Sequence, residues 1–119
     1  MISKVHVPNE ISVLLNKIEK ETKPVSVFIY GSRVRSDYLK HSDYEIGVLF
    51  RKDKKWEREK LANFHSHPHV SLFPFIIEDL QEYKIDTPFP KNVYLRELIE
   101  SARTVREEKI IEKMDPPQI

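Results

Sequence analysis

The chain has 119 residues, 39% hydrophobic and 33% charged, which favours a single globular domain over a disordered chain. Its formal net charge is only +1, so charge gives no indication of a nucleic-acid-binding surface. The absence of cysteine excludes disulfides, and the lack of a signal-peptide pattern or of an apolar run near the roughly 20 residues of a membrane helix predicts a cytoplasmic protein with no membrane association.

The first half of the chain alternates between helical and strand patterns. A helix capped by Asn9 is predicted, because apolar residues recur at helical spacing at Ile11, Leu14, Leu15 and Ile18. Residues 25–30 are β-branched and aromatic, which predicts a buried strand that ends at Gly31-Ser32. A short helix over residues 33–40 and a second strand over residues 44–50 follow.

The second half continues the alternation. Residues 56–64 have helical spacing, and residues 70–77 form a third predicted strand, in which Pro74 indicates an edge position or a bulge. Residues 78–83 predict a helical turn. From residue 92 a last helix is predicted, with Tyr94, Leu98, Ala102 and Val105 along one side.

This order predicts an α/β (α+β-like) fold: a small mixed sheet of three strands with helices packed on it. We expect one domain over residues 1–119 with a frayed tail from 113 to 119. The aromatic residues Phe28, Tyr30, Phe73 and Phe75 are predicted to be core, and Tyr44 is predicted to face away from the acidic residues beside it.

Candidate chemistry lies in the pattern G-S-x10-D-x-E, from Gly31 to Glu45. A glycine between a strand and a helix allows close approach of a ligand, and the N–H groups of the following turn favour a phosphate. Asp43 and Glu45 are two residues apart on a strand, so they share a face. Two carboxylates there favour a divalent cation such as Mg²⁺. The alternative is a solvated strand start whose acids pair with Arg33 and Arg35 on the surface.

On these residues the chain resembles the minimal nucleotidyltransferases of the DNA polymerase β superfamily. The resemblance is strong over residues 25–50 and extends weakly to residue 106. It implies a nucleoside triphosphate, ATP foremost, held by Gly31, Ser32 and Arg33. It also implies Mg²⁺ or Mn²⁺ held by Asp43 and Glu45 as catalytic residues. The reaction would transfer a nucleoside monophosphate to an acceptor hydroxyl. Small members of the family pair with HEPN-domain proteins as toxin and antitoxin, so such a partner or a homo-oligomer is expected.

One family feature is missing from the sequence. The resemblance implies a third carboxylate on the next strand, and the matching position is Ser71. His67 and His69 precede it and could supply a general base or bind a transition metal, whereas the simpler interpretation is a polar loop with exposed histidines. A second functional hypothesis is therefore a catalytically degenerate module that binds nucleotide or a protein partner.

Overall fold

The protein is described here by a computed structural model that covers residues 7–35, 43–64 and 68–118. One mixed sheet carries helices on both faces. Its four strands are β1 (Ser26–Tyr30), β2 (Tyr44–Phe50), β3 (Val70–Ile76) and β4 (Arg103–Glu107). The α-helices are α1 (Asn9–Thr22), α2 (Ser32–Arg35), α3 (Lys55–Lys60), α4 (Ile77–Gln81) and α5 (Lys91–Ser101), with 3₁₀ turns at Leu61–Phe64 and Ile111–Lys113. Among these described elements, no helix has the length and apolar character needed to cross a bilayer.

The strand order is β3-β2-β1-β4, with β2 parallel to β3 and β1 antiparallel to both of its neighbours. The predicted mixed sheet with packed helices is confirmed. The three predicted strands are present, and β3 lies at an edge of the sheet. That position tolerates Pro74, which has no N–H to donate to a further strand.

The fourth strand was not predicted, because Ala102 and Val105 continue the helical spacing of Tyr94 and Leu98. Instead, α5 ends at Ser101 and β4 pairs with β1 across a register irregularity between Val27 and Phe28. Pairing with a buried neighbour decides the conformation of such a half-buried polar segment more strongly than its own pattern does. Arg106 of β4 also contacts α1, where its Nε lies 3.0 Å from a carboxylate oxygen of Glu19.

One smaller prediction is wrong. Asn9 is the first residue of α1 rather than its cap, and the preceding Pro8 supplies no side-chain cap. In the C-terminal segment, the Tyr83 hydroxyl donates to the carbonyl of Asp115 at 2.6 Å, and Asn92 donates to that of Gln118 at 3.0 Å; fraying of residues 113–119 stays a prediction.

Alternate residues of β1 and β2 enter two apolar clusters, one on each face of the sheet. The first cluster joins α1 to the sheet and includes Leu15, Ile18, Val27, Ile29, Ile46 and Val48. The second joins α4 and α5 to the sheet and includes Phe28, Tyr30, Leu49, Phe75, Leu80, Leu95 and Leu98. Burial on both faces explains why β1 is apolar from Val27 to Tyr30.

Gly47 makes room for the second cluster. A Cβ at this position would overlap the fully buried ring of Phe28. We therefore expect Gly47→Ala to lower the free energy of unfolding by about 1–3 kcal/mol, the usual cost of overpacking a core. Urea denaturation would measure this loss, and Val13→Ala, at an exposed position on α1, should leave stability nearly unchanged. Equal effects of the two substitutions would contradict the packing argument.

Candidate functional site

The two acidic residues of the motif lie where β2 begins, on the face of the sheet that carries α5. Glu45 is half-buried and Asp43 is exposed. In the parallel pairing of β2 with β3, Glu45 stands opposite Ser71. The Ser71 hydroxyl is 3.4 Å from Oδ2 of Asp43, within hydrogen-bonding range. The structure thus brings Asp43, Glu45 and Ser71 together at one end of two adjacent strands.

Gly31 follows β1 with a φ of 83°, a left-handed conformation that glycine adopts without steric cost. A Cβ on this residue would overlap Oε2 of Glu45, so the carboxylate lies directly against the glycine. The Gly31 N–H donates to the Ser101 hydroxyl of α5 at 2.9 Å, and that hydroxyl donates to the Leu98 carbonyl at 3.3 Å. The Gly31 amide is therefore already bonded within the protein, and a phosphate on this turn would need other donors.

Arg33 packs on the ring of Tyr44. Its guanidinium carbon is 4.5 Å from the ring centroid of Tyr44, and Tyr44 packs on the α1 side, as predicted. This distance is that of a cation–π contact between Arg33 and Tyr44. The role of Arg33 in phosphate binding stays a prediction. The side chain of Ser32 and the whole of His67 lie outside the described residues.

His69 stands level with Asp43 at the entry to β3. Its carbonyl accepts a hydrogen bond from the Tyr44 N–H at 3.0 Å, which aligns the two strand starts. Within the described part of the chain, no group of three or more His, Cys, Asp or Glu residues is placed to hold a metal. Oxygen ligands from two carboxylates are therefore what this part of the site offers.

Aromatic side chains beside Glu45 were not predicted as part of the site. A cavity of about 320 Å³ is lined by Gly31, Glu45, Phe89 and Tyr94. A second cavity of about 560 Å³, on the β3 side, shares Glu45, Phe89 and Tyr94 with the first. Phe89 lies between Pro88 and Pro90, whose rings restrict the backbone on both sides of it.

Two of the predicted core aromatics differ in their environment. Tyr30 is buried as expected, and its burial, the nearby Tyr94 hydroxyl and the charge of Glu45 raise the pKa of Tyr30 far above its usual value. This phenol therefore stays neutral beside the acidic residues. Phe73 is 38% exposed on the edge strand, with its ring 6.2 Å from that of Tyr30. Its prediction as a core residue is wrong, and it lines the larger cavity.

Comparison with known proteins identifies relatives of this arrangement. A family model described as "Polymerase beta, Nucleotidyltransferase" matches residues 13–113. None of the curated proteins matches the chain. Among solved structures, the chain is similar to spectinomycin adenyltransferase AAD(9) from Enterococcus faecialis, solved with ATP and spectinomycin. The identity is 16% and the TM-score 0.55, over 92% of this chain and 59% of that one.

Two further structures are similar with a TM-score of 0.46 each. One is a candidate nucleotidyltransferase from Sulfolobus solfataricus, at 23% identity over 61% of this chain and 73% of that one. The other is a toxin–antitoxin complex with AMP-PNP, at 16% identity over 86% of this chain and 76% of that one. At these identities, the likeness to the adenyltransferase shows a shared fold.

Proposed function

Because the chain belongs to the polymerase β-type nucleotidyltransferase family, we propose that it transfers a nucleoside monophosphate from a nucleoside triphosphate to an acceptor hydroxyl. The observation that carries this proposal is the placement of Asp43 and Glu45 on one face, with the Glu45 carboxylate against Gly31. Because Gly31 has no side chain, a triphosphate can approach the Gly31 backbone and the Glu45 carboxylate together. ATP is the first triphosphate to test.

The donor set suits a hard divalent cation. Asp43 and Glu45 offer carboxylate oxygens, which Mg²⁺ and Mn²⁺ prefer, and the exposure of Asp43 leaves room for water and phosphate ligands. A bound divalent cation would neutralise the phosphates and stabilise the negative charge that develops during transfer. Without such a cation, the two acids would repel a triphosphate.

The reaction forms a bond between the acceptor oxygen and the α-phosphorus and breaks the bond from that phosphorus to the β-phosphate. Pyrophosphate leaves, and the acceptor loses its proton. Ser71, beside Asp43, cannot take that proton as a carboxylate would. Among the described residues, we propose His69, which is exposed at the entry to β3, as the proton acceptor, with solvent water as the alternative.

The acceptor that we propose is a hydroxyl on a HEPN-domain protein, as the resemblance to small family members implies. The chain spans 59% of the adenyltransferase to which it is similar. A partner protein or a second copy of the chain would supply the surface that positions the acceptor.

Transfer of label from α-labelled ATP tests the proposal. Incubation with Mg²⁺ and a HEPN-domain protein should label that protein. Asp43→Ala should reduce labelling by about 100-fold or more, because loss of a metal ligand has a larger effect than loss of a residue that only orients one. Asp53→Ala is the matched control, because Asp53 is an exposed acid on the turn after β2. Labelling that survives Asp43→Ala, or that falls equally in Asp53→Ala, would contradict the proposed site.

The second candidate is a degenerate module that binds Mg²⁺ with nucleotide, or a protein partner, without transfer. The position of Ser71 favours this candidate, because a hydroxyl stands where the resemblance implies a third acid. Nucleotide binding that depends on Asp43, together with absence of labelling, would establish the module. Binding of ATP by calorimetry therefore accompanies the transfer assay.

A further inference from the structure

The ring of Phe89 is an exposed aromatic surface beside the candidate site. Phe89 is 63% exposed, yet its ring stacks on Tyr94 with centroids 6.1 Å apart and planes inclined by 9°. Tyr94 packs in turn against the second apolar cluster, and its hydroxyl lies 3.4 Å from that of Tyr30. The other face of Phe89 is thus a flat aromatic surface whose support, Tyr94, is packed on the core. Leaving such a ring in water costs free energy that a ligand could recover.

The backbone around Phe89 is restricted as well. Pro88 and Pro90 flank the residue, so both neighbouring φ angles are fixed, and Pro90 also limits the conformation of Phe89 itself. The Phe89 N–H donates to the Thr87 hydroxyl at 3.3 Å. A ring held in this way loses little conformational entropy when a ligand stacks on it.

The cavity beside Phe89 is continuous with the candidate phosphate and metal site. Gly31 and Glu45 line the same 320 Å³ space as Phe89 and Tyr94. This volume lies within the range of small-molecule sites, which begins near about 300 Å³. A nucleoside triphosphate joins a flat aromatic base to a phosphate chain through one sugar. The lining of this cavity offers a partner for each part, the aromatic ring of Phe89 for the base and the Glu45 carboxylate for a divalent cation that would bind the phosphates.

We propose that Phe89 is the stacking surface for the base of the nucleoside triphosphate. The proposal rests on the proposed function, since it places the phosphates at Gly31 and Glu45. It assigns a binding role to the Pro88-Phe89-Pro90 segment. Stacking reads the flat face of a base rather than its edge, so Phe89 contributes affinity for nucleotides of any base.

Calorimetry with Mg²⁺-ATP and with Mg²⁺-tripolyphosphate separates the contribution of the nucleoside to the affinity from that of the phosphates. Wild-type protein should bind ATP more tightly than tripolyphosphate. Phe89→Ala should weaken ATP binding by about tenfold, in line with the contribution of one stacked base, and leave tripolyphosphate binding unchanged. Phe89→Tyr keeps an aromatic face and should keep ATP affinity. Trp56→Ala is the matched control, because Trp56 is 76% exposed and lines neither cavity.

The outcomes distinguish this inference from the proposed function. If tripolyphosphate binds and Asp43→Ala abolishes that binding, but Phe89→Ala leaves ATP affinity unchanged, the stacking proposal is overturned and the phosphate site stands. If wild-type protein binds neither compound, both proposals fail. An equal loss for ATP and tripolyphosphate in Phe89→Ala would show a structural effect and overturn the stacking role. Loss of HEPN-protein binding in Phe89→Ala, with ATP affinity intact, would assign the ring to a partner contact instead.

Discussion

Gly31→Ala is expected to weaken Mg²⁺-ATP binding by about 10- to 100-fold, the range found when groups that orient a metal ligand are changed. The reason is local. The added Cβ would overlap Oε2 of Glu45, and the carboxylate is the flexible partner that must move. Moving it removes one of two candidate metal ligands. The φ of 83° adds a left-handed strain of about 1–2 kcal/mol for a residue with a side chain.

Isothermal calorimetry measures the loss of affinity, and urea denaturation measures the strain. Gly47→Ala separates the two effects, since a Cβ on this second glycine would overlap the Phe28 ring in the core rather than the Glu45 carboxylate. We expect Gly47→Ala to lose stability and, while folded, to keep ATP affinity. If Gly31→Ala bound ATP as tightly as wild type, the Glu45 carboxylate would not hold the metal.

Much of the sheet was predictable because burial leaves a strong signal along a strand. Strand β1 is buried on both faces, so its apolar run identified it, and Pro74 indicated the edge strand. The shared face of Asp43 and Glu45 follows from the period of a strand. Their proximity to Ser71 could be predicted only because the pattern of residues 70–77 indicates the next strand.

The parts that were missed depend on contacts between residues far apart in the chain. The Gly31 amide bonds to Ser101, 70 positions away, which no local pattern indicates. Strand β4 exists because β1 has a free edge, whereas its own residues fit a helix equally well. Phe73 was predicted as core by its apolar character, but the edge position of β3 leaves it beside a cavity.

Ser71→Asp is expected to raise nucleotidyl transfer by about 100-fold, at the lower end of what a positioned general base contributes. Ser71 stands opposite Glu45 in the register, and its hydroxyl is 3.4 Å from the Asp43 carboxylate. An aspartate there would add a third carboxylate to the same cluster.

Because three acids repel one another, the Ser71→Asp variant should unfold at a lower temperature than wild type without Mg²⁺. Added Mg²⁺ should stabilise the variant more than it stabilises wild type, since a tighter site gains more from bound metal.

Ser71→Asn is the matched control, with nearly the same volume as aspartate but neither charge nor basicity. It should give no increase in transfer and no added response of the melting temperature to Mg²⁺. A rise in Ser71→Asp from undetectable to measurable transfer would mean that the natural chain is a binding module, which lacks transferase activity because residue 71 is a serine. A rise from a measurable rate would mean that the two-carboxylate site already works and is limited by proton removal. Equal behaviour of the aspartate and asparagine variants would show that position 71 is not where this family's third acid belongs in this chain.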